Sequence, residues 1–277
     1  MPDERPPQQR AATAPVSPSV HPPTRPTVQH PTRPPLRPSA VASTVVGLAR
    51  ESSDRLGRPL DVLDLGGGTG NVAVALAEAG HRVTVVDPSP DALAALARRA
   101  REAGLPDRVT GVQGDSDSLP TVLAGQTVDL VCCHGVLEFV DDPSATLRAI
   151  AAALRPGGWL SLLVAGRLAV VFAKAIAGEF GQARTALVDP DGRWGAHDPL
   201  PRRFDLDEAE RLLTGAGFSA LQTRATTILG HLVPAALLDS EADRAALTEL
   251  DELLVSGPGR EFLRTLGSGL HVLARRD

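Results

Sequence analysis

Val62-Leu63-Asp64-Leu65-Gly66-Gly67-Gly68-Thr69-Gly70-Asn71 is the stretch that decides the fold. An apolar strand enters four glycines within five positions and leaves into a helix over Asn71–Ala79. Glycine lets the backbone turn tightly and approach a ligand closely. The helix start beyond it presents unpaired N–H groups to an anion. Asp64 closes the strand, where a carboxylate would repel a pyrophosphate and welcome a cationic amino group. The register Gly66-x-Gly68-x-x-Asn71 also breaks the dinucleotide spacing at its third place. The shifted register Gly68-x-Gly70-x-x-Ala73 keeps a dinucleotide reading open.

Outward from this turn, strands and helices alternate. Strands are expected at Leu60–Leu65, Arg82–Val86, Val109–Gln113, Val128–Cys133 and Trp159–Val164. Helices are expected at Val41–Arg55, Pro90–Ala103, Leu119–Ala124 and Pro143–Leu154. The strands are continuously apolar, as required when both faces are covered. The pattern predicts an α/β, doubly wound sheet with helices on both faces and right-handed crossovers. Beyond Val164 a helix at Arg167–Ala177 precedes a loop at Asp189–Arg203. A helix capped by Asp205 stops at Gly215 or Gly217. A strand at Phe218–Ile228, a helix at Ser240–Val255 and a strand at Gly269–Ala274 complete the chain.

Composition narrows the function. Residues 1–38 hold 12 of the 24 prolines and five arginines, and little there can be buried, so a disordered tail is expected. Residues 39–277 are read as one domain. The net charge of −5 argues against a broad nucleic-acid face. Cys132 and Cys133 are neighbours that point to opposite faces of a strand, which suits buried thiols in a reducing cytoplasm. There is no secretory pattern and no apolar run long enough to span a bilayer, so a soluble, cytoplasmic protein without a membrane partner is expected. His197, His231 and His271 are dispersed without metal-ligand spacing, and no metal is expected.

The second strand ends in Val85-Val86-Asp87-Pro88-Ser89. A carboxylate about 20 residues past the glycines can accept both ribose hydroxyls, or simply cap the helix that starts near Pro90. Gly114-Asp115-Ser116-Asp117-Ser118-Leu119-Pro120 follows the third strand. Val128-Asp129-Leu130-Val131-Cys132-Cys133-His134-Gly135-Val136-Leu137-Glu138-Phe139 and Arg155-Pro156-Gly157-Gly158-Trp159-Leu160 follow in turn. In order and spacing, Val62 to Val164 resembles the class I S-adenosylmethionine-dependent methyltransferases. The resemblance implies a Rossmann-like, seven-stranded, mostly parallel sheet in the order 3-2-1-4-5-7-6, with strand 7 antiparallel. It implies S-adenosyl-L-methionine as cofactor, with Asp115 accepting from the adenine amino group and the Ser116 N–H meeting a ring nitrogen. Asp64, Gly66, Gly67, Gly68, Gly70 and Asp87 would complete the cofactor site. Residues 60–164 would then form the cofactor half and 165–277 the acceptor-binding part.

His134-Gly135-Val136-Leu137-Glu138-Phe139, Ala177-Gly178-Glu179-Phe180 and Leu266-Gly267-Ser268-Gly269-Leu270-His271-Val272 are similar to segments of the bacterial tRNA 5-carboxymethoxyuridine methyltransferases. That closer resemblance implies His134 beside the cofactor and Arg37 at its carboxylate. The chain departs from that family over Thr185–Arg203, where only Arg193, Arg202 and Arg203 are basic. The reading is a methyltransferase acting on an O or N atom, including a carboxylate, of a small molecule or tRNA. A tRNA wobble-uridine carboxyl methyltransferase and a non-catalytic cofactor-binding protein stay open beside it. His134 is the candidate base, or else a cofactor-shell or structural histidine. Arg167, Arg193, Arg202, Arg203, Phe180 and Trp194 are candidate acceptor contacts.

Overall fold

The helices that begin at Pro90, Pro143, Leu206 and Glu241 have starts fixed by side-chain caps. The computed structural model describes residues 38–233, 237–258 and 263–277. The tail expected over 1–38, apart from Pro38, and Arg37 with it, lie outside the described residues. The elements run α1 (Pro38–Leu56), β1 (Asp61–Leu65), α2 (Asn71–Glu78), β2 (Arg82–Asp87), α3 (Pro90–Glu102), β3 (Val109–Gln113), α4 (Leu119–Leu123) and β4 (Val128–His134). There follow α5 (Pro143–Ala153), β5 (Leu154–Ala165), α6 (Arg167–Ile176), α7 (Phe180–Val188), α8 (Leu206–Gly215), β6 (Phe218–Ala225), α9 (Glu241–Ser256) and β7 (Gly269–Arg276). Ser89 caps α3 by accepting from the Ala92 N–H, and Asp142 caps α5 by accepting from the Ala145 N–H. Each satisfies a donor the first helical turn leaves unpaired, and a proline follows at once, where a missing N–H costs nothing.

The sheet order is β3-β2-β1-β4-β5-β7-β6, with β7 antiparallel to both its neighbours, as the resemblance implied. Side chains alternate between the two faces. Leu63, Leu65, Val131, Cys133, Leu160 and Leu162 pack with α5 and α8 through Leu147, Ile150 and Leu213. Val62, Val83, Val85, Leu130 and Cys132 pack on the other side against α1, α2 and α3 through Val45, Leu76 and Leu96. Each fully buried leucine or valine contributes roughly 1.5–3 kcal/mol. Cys132 and Cys133 therefore fall on opposite faces, as expected; both thiols are free and buried.

The structure departs from the expected elements in two places. The turn expected at Arg155–Gly158 lies inside β5, which starts already at Leu154. Between the paired rows Val128–Leu154 and Leu130–Trp159, one residue of β4 lies opposite four of β5, so the glycines make a bulge and not a break. Helix α7 was not foreseen. Its buried residues are only Ala183 and Ala186, so the sequence shows no large apolar stripe. No helix among the described residues is long and apolar enough to cross a membrane.

Candidate functional site

All the parallel strands deliver their C-terminal ends to one edge, and the chain reverses its direction of winding between β1 and β4. Ligands of open α/β sheets bind in the crevice at such a point. Gly66 turns at φ 68°, with its N–H donating to the Val86 carbonyl at 2.7 Å. Gly70 adopts φ 82° and begins α2 without any side-chain cap. The first N–H groups of α2 therefore stay open to an anion. A Cβ on Gly66 would run into Val136 of the loop after β4, and one on Gly67 would lie 2.5 Å from Asp64 Oδ2. The glycines let this loop sit flat on two neighbouring elements.

Asp64 is buried at 2% exposure, and its Oδ2 has no hydrogen-bond partner. Burial, and then the negative charge of Asp87, push its carboxyl up to about 7. Such an oxygen beneath a glycine loop awaits a donor or a cation. Asp87 ends β2 on the next strand. Its Oδ2 accepts from the Gly68 N–H and its Oδ1 from the Ser89 N–H, both at 2.9 Å. Each oxygen keeps a lone pair for a hydroxyl. The alternative of Asp87 as a mere helix cap fails, because Ser89 caps α3. Asp115, after β3, accepts from the Asp117 and Ser118 N–H groups through Oδ1, which fixes the loop and leaves Oδ2 outside that cap. The residues present fit the expected cofactor at both ends: a buried acid for an amino group, a helix start for a carboxylate, and a carboxylate for a ribose.

His134 closes β4 on the α1 side of the sheet. Its Nε2 meets Ser161 Oγ at 2.9 Å, and the same hydroxyl meets His271 Nε2 at 2.8 Å. Burial holds both rings neutral. His134 falls to about 4; His271 falls to about 3, with His134 and Arg224 adding repulsion. A neutral imidazole with Nε2 engaged offers Nδ1 alone as its free ring nitrogen. As a general base at neutral pH, His134 is thus weaker than an ordinary histidine. Sequence reasoning missed Ser161 and noted His271 only as one of three dispersed histidines. The signal was present: Ser161 is the one polar residue in Trp159–Ala165.

The arginines expected at the acceptor are occupied elsewhere. Arg203, 7% exposed, forms a two-pronged ion pair with Asp198 at 2.6 and 2.9 Å. Arg202 pairs with Asp191 and donates to the Val140 carbonyl. Arg167 donates to the Asp189 and Pro190 carbonyls and to Glu208. These contacts tie the insertion together. Of that set Arg167 and Arg193 each have a buried Nε without a hydrogen-bond partner among the described residues. Trp194 lies under the Lys174 ammonium at 4.1 Å, and Phe180 is 70% exposed, so neither packs in the core.

Comparison with known proteins adds to this geometry. A family described as a methyltransferase domain matches residues 63–162. Over 217 residues the chain is 29% identical to the tRNA 5-carboxymethoxyuridine methyltransferase of Escherichia coli strain K12, covering 78% of this chain and 80% of that protein. It is 36% identical over 120 residues to the ubiquinone biosynthesis O-methyltransferase of Paracidovorax citrulli, covering 42% of this chain and 48% of that one. The crystal structure of magnesium protoporphyrin IX methyltransferase from Synechocystis PCC 6803, with bound SAH, aligns with a TM-score of 0.54 at 19% identity. That alignment covers 85% of this chain and 82% of the other, and at such identity it speaks for the fold alone.

Proposed function

We propose, from the premise that the chain is a class I S-adenosylmethionine-dependent methyltransferase, that it binds its cofactor across the ends of β1, β2 and β4 and methylates an O or N atom of an acceptor beside His134. The observation that carries this reading is the pair of buried acids on adjacent strands. The unpartnered Asp64 Oδ2 lies under the glycine loop, and Asp87 stands at the tip of β2. Asp64 takes the cofactor's amino group and the α2 start its carboxylate. Asp87 takes the ribose hydroxyls, and Asp115 with the Ser116 N–H takes the adenine. Gly66, Gly67, Gly68 and Gly70 let the backbone come close.

The cofactor supplies a sulfonium-activated methyl group. The chain's task is to orient a nucleophile and exclude water, and orientation alone is worth roughly 7–11 kcal/mol. His134 Nδ1 holds the acceptor's proton by a hydrogen bond while Ser161 and His271 fix the ring. Among the described residues no group of three His, Cys, Asp or Glu is placed to hold a metal ion.

A second reading, tRNA wobble-uridine carboxyl methylation, is favoured by the likeness that spans 80% of the Escherichia coli protein. Against it stand the insertion arginines, most of them neutralised within the chain. Nucleoside mass spectrometry of bulk tRNA from wild-type and deletion strains decides. Loss of one methylated wobble uridine, restored by purified protein, establishes the tRNA acceptor. An unchanged nucleoside profile leaves the small-molecule acceptor.

A further inference from the structure

His134, Leu163, His271 and Arg224 stand in one row across β4, β5, β7 and β6, paired strand to strand. Directly paired residues project from the same face, here the α1 side. At the β6 end of the row a cavity of about 450 Å³ opens between α1, β6 and α9. Val41, Thr44, Arg224, Thr226, Arg264 and His271 line it. In a chain of net charge −5, no described Asp or Glu lines this cavity, while two arginines do. Arg224 is exposed and forms no ion pair with a described carboxylate, unlike Arg167, Arg202 and Arg203. The cavity is joined to the tip of β4 by two hydrogen bonds, His271 to Ser161 and Ser161 to His134.

We infer that this cavity is a binding subsite for an oxyanion group of the methyl acceptor, with Arg224 as its charged anchor. The placement as an acceptor subsite rests on the methyltransferase reading. The anion site itself rests on the cavity's lining. A planar fork of donors suits carboxylate and phosphate equally. The hydroxyls of Thr44 and Thr226 supply further donors, and Val41 an apolar wall for the body of the ligand. A neutral His271 ring at the floor is the group whose surroundings change when the subsite fills, and Ser161 carries that change to His134.

The test uses the full chain loaded with S-adenosylhomocysteine and benzoate as the probe. Saturation-transfer NMR reads benzoate binding, and histidine-selective heteronuclear spectra read the His271 ring. Benzoate is expected to bind in the millimolar range and to move the His271 ring signals. Arg224→Gln should weaken it at least about tenfold, Arg224→Lys should retain most of it, and Thr44→Trp should block it. The distant surface variant Arg148→Gln should match wild type. Competition by inorganic phosphate would assign the subsite to oxyanions in general, and its failure to compete would assign it to carboxylates. Equal binding by wild type and Arg224→Gln, or unmoved His271 signals, would overturn the inference. Calorimetry of S-adenosylhomocysteine on the same samples separates the two readings. Benzoate bound at Arg224 without S-adenosylhomocysteine binding would remove the methyltransferase premise and leave an anion site. S-adenosylhomocysteine binding without benzoate at Arg224 would do the reverse.

Discussion

Asp64 carries a proton equilibrium centred near neutral pH. Its folded value, about 7, lies above the ordinary 3.8 because burial, and then Asp87, disfavour the charge. The sign follows: this carboxyl stabilises the folded chain fully below about 3.8, and that contribution is lost as pH rises through 7. A cationic amino group at Oδ2 reverses the preference and expels the proton. Calorimetry of S-adenosylhomocysteine at pH 6, in buffers of different ionisation heat, should therefore show net proton release. Asp64→Asn should abolish that release, and an equal release from the variant would remove Asp64 from the site. His134 and His271 titrate the other way, with folded values of about 4 and about 3 against an ordinary 6.5. Their stabilisation is complete above 6.5 and is lost as pH falls through 4 and then 3. The drop in urea midpoint between pH 6.5 and 4 should shrink in the double variant His134→Asn, His271→Asn. An unchanged drop would mean that other groups set the acid limit.

At the scale of elements, the glycine turn does two jobs that one substitution can separate. Gly70 packs α2 against α3, and a Cβ there would overlap Leu96 Cδ1 at φ 82°. Gly70→Ala should cost about 2–4 kcal/mol by urea denaturation, from left-handed backbone strain plus overpacking. A cost below about 0.5 kcal/mol would show that the loop relaxes freely. The strands of the cofactor half were legible because burial on both faces leaves apolar runs bounded by glycine and charge. Asp64 and Asp87 were legible because a carboxylate at the end of an apolar strand needs a partner. The later elements were less so. Helix α7 buries only alanines, and the β5 bulge depends on pairing with β4, which a single strand cannot reveal. The histidine row depends on cross-strand register for the same reason. In the segment after β6, Asp251 of α9 accepts from the Ile228, Leu229 and Gly230 N–H groups, a contact 21 or more residues apart that no local pattern announces.

At the scale of the molecule, charge is sorted by function. The buried carboxylate that pairs with arginines at the sheet sits away from the strand tips. Asp129, near the far end of β4, is pulled both ways. Burial raises its pKa, but the hydrogen bonds from Arg58 and the Asp61 N–H, with Arg155 beside it, outweigh that and hold it low. The insertion cancels its own cations through Asp198, Asp191 and Glu208. A protein that neutralises many phosphates loses affinity steeply with salt. Acceptor binding here should change less than tenfold between 50 and 200 mM salt, whereas a loss of a thousandfold or more would point to an extended tRNA contact. That the tips of β1 and β2 hold the cofactor is tested by calorimetry of S-adenosylhomocysteine with wild type and Asp87→Ala. Wild type should bind one equivalent, and the variant, folded by circular dichroism, should bind at least about a hundredfold more weakly, the order expected for two lost hydrogen bonds to a carboxylate. Wild-type affinity in a folded Asp87→Ala protein would contradict it.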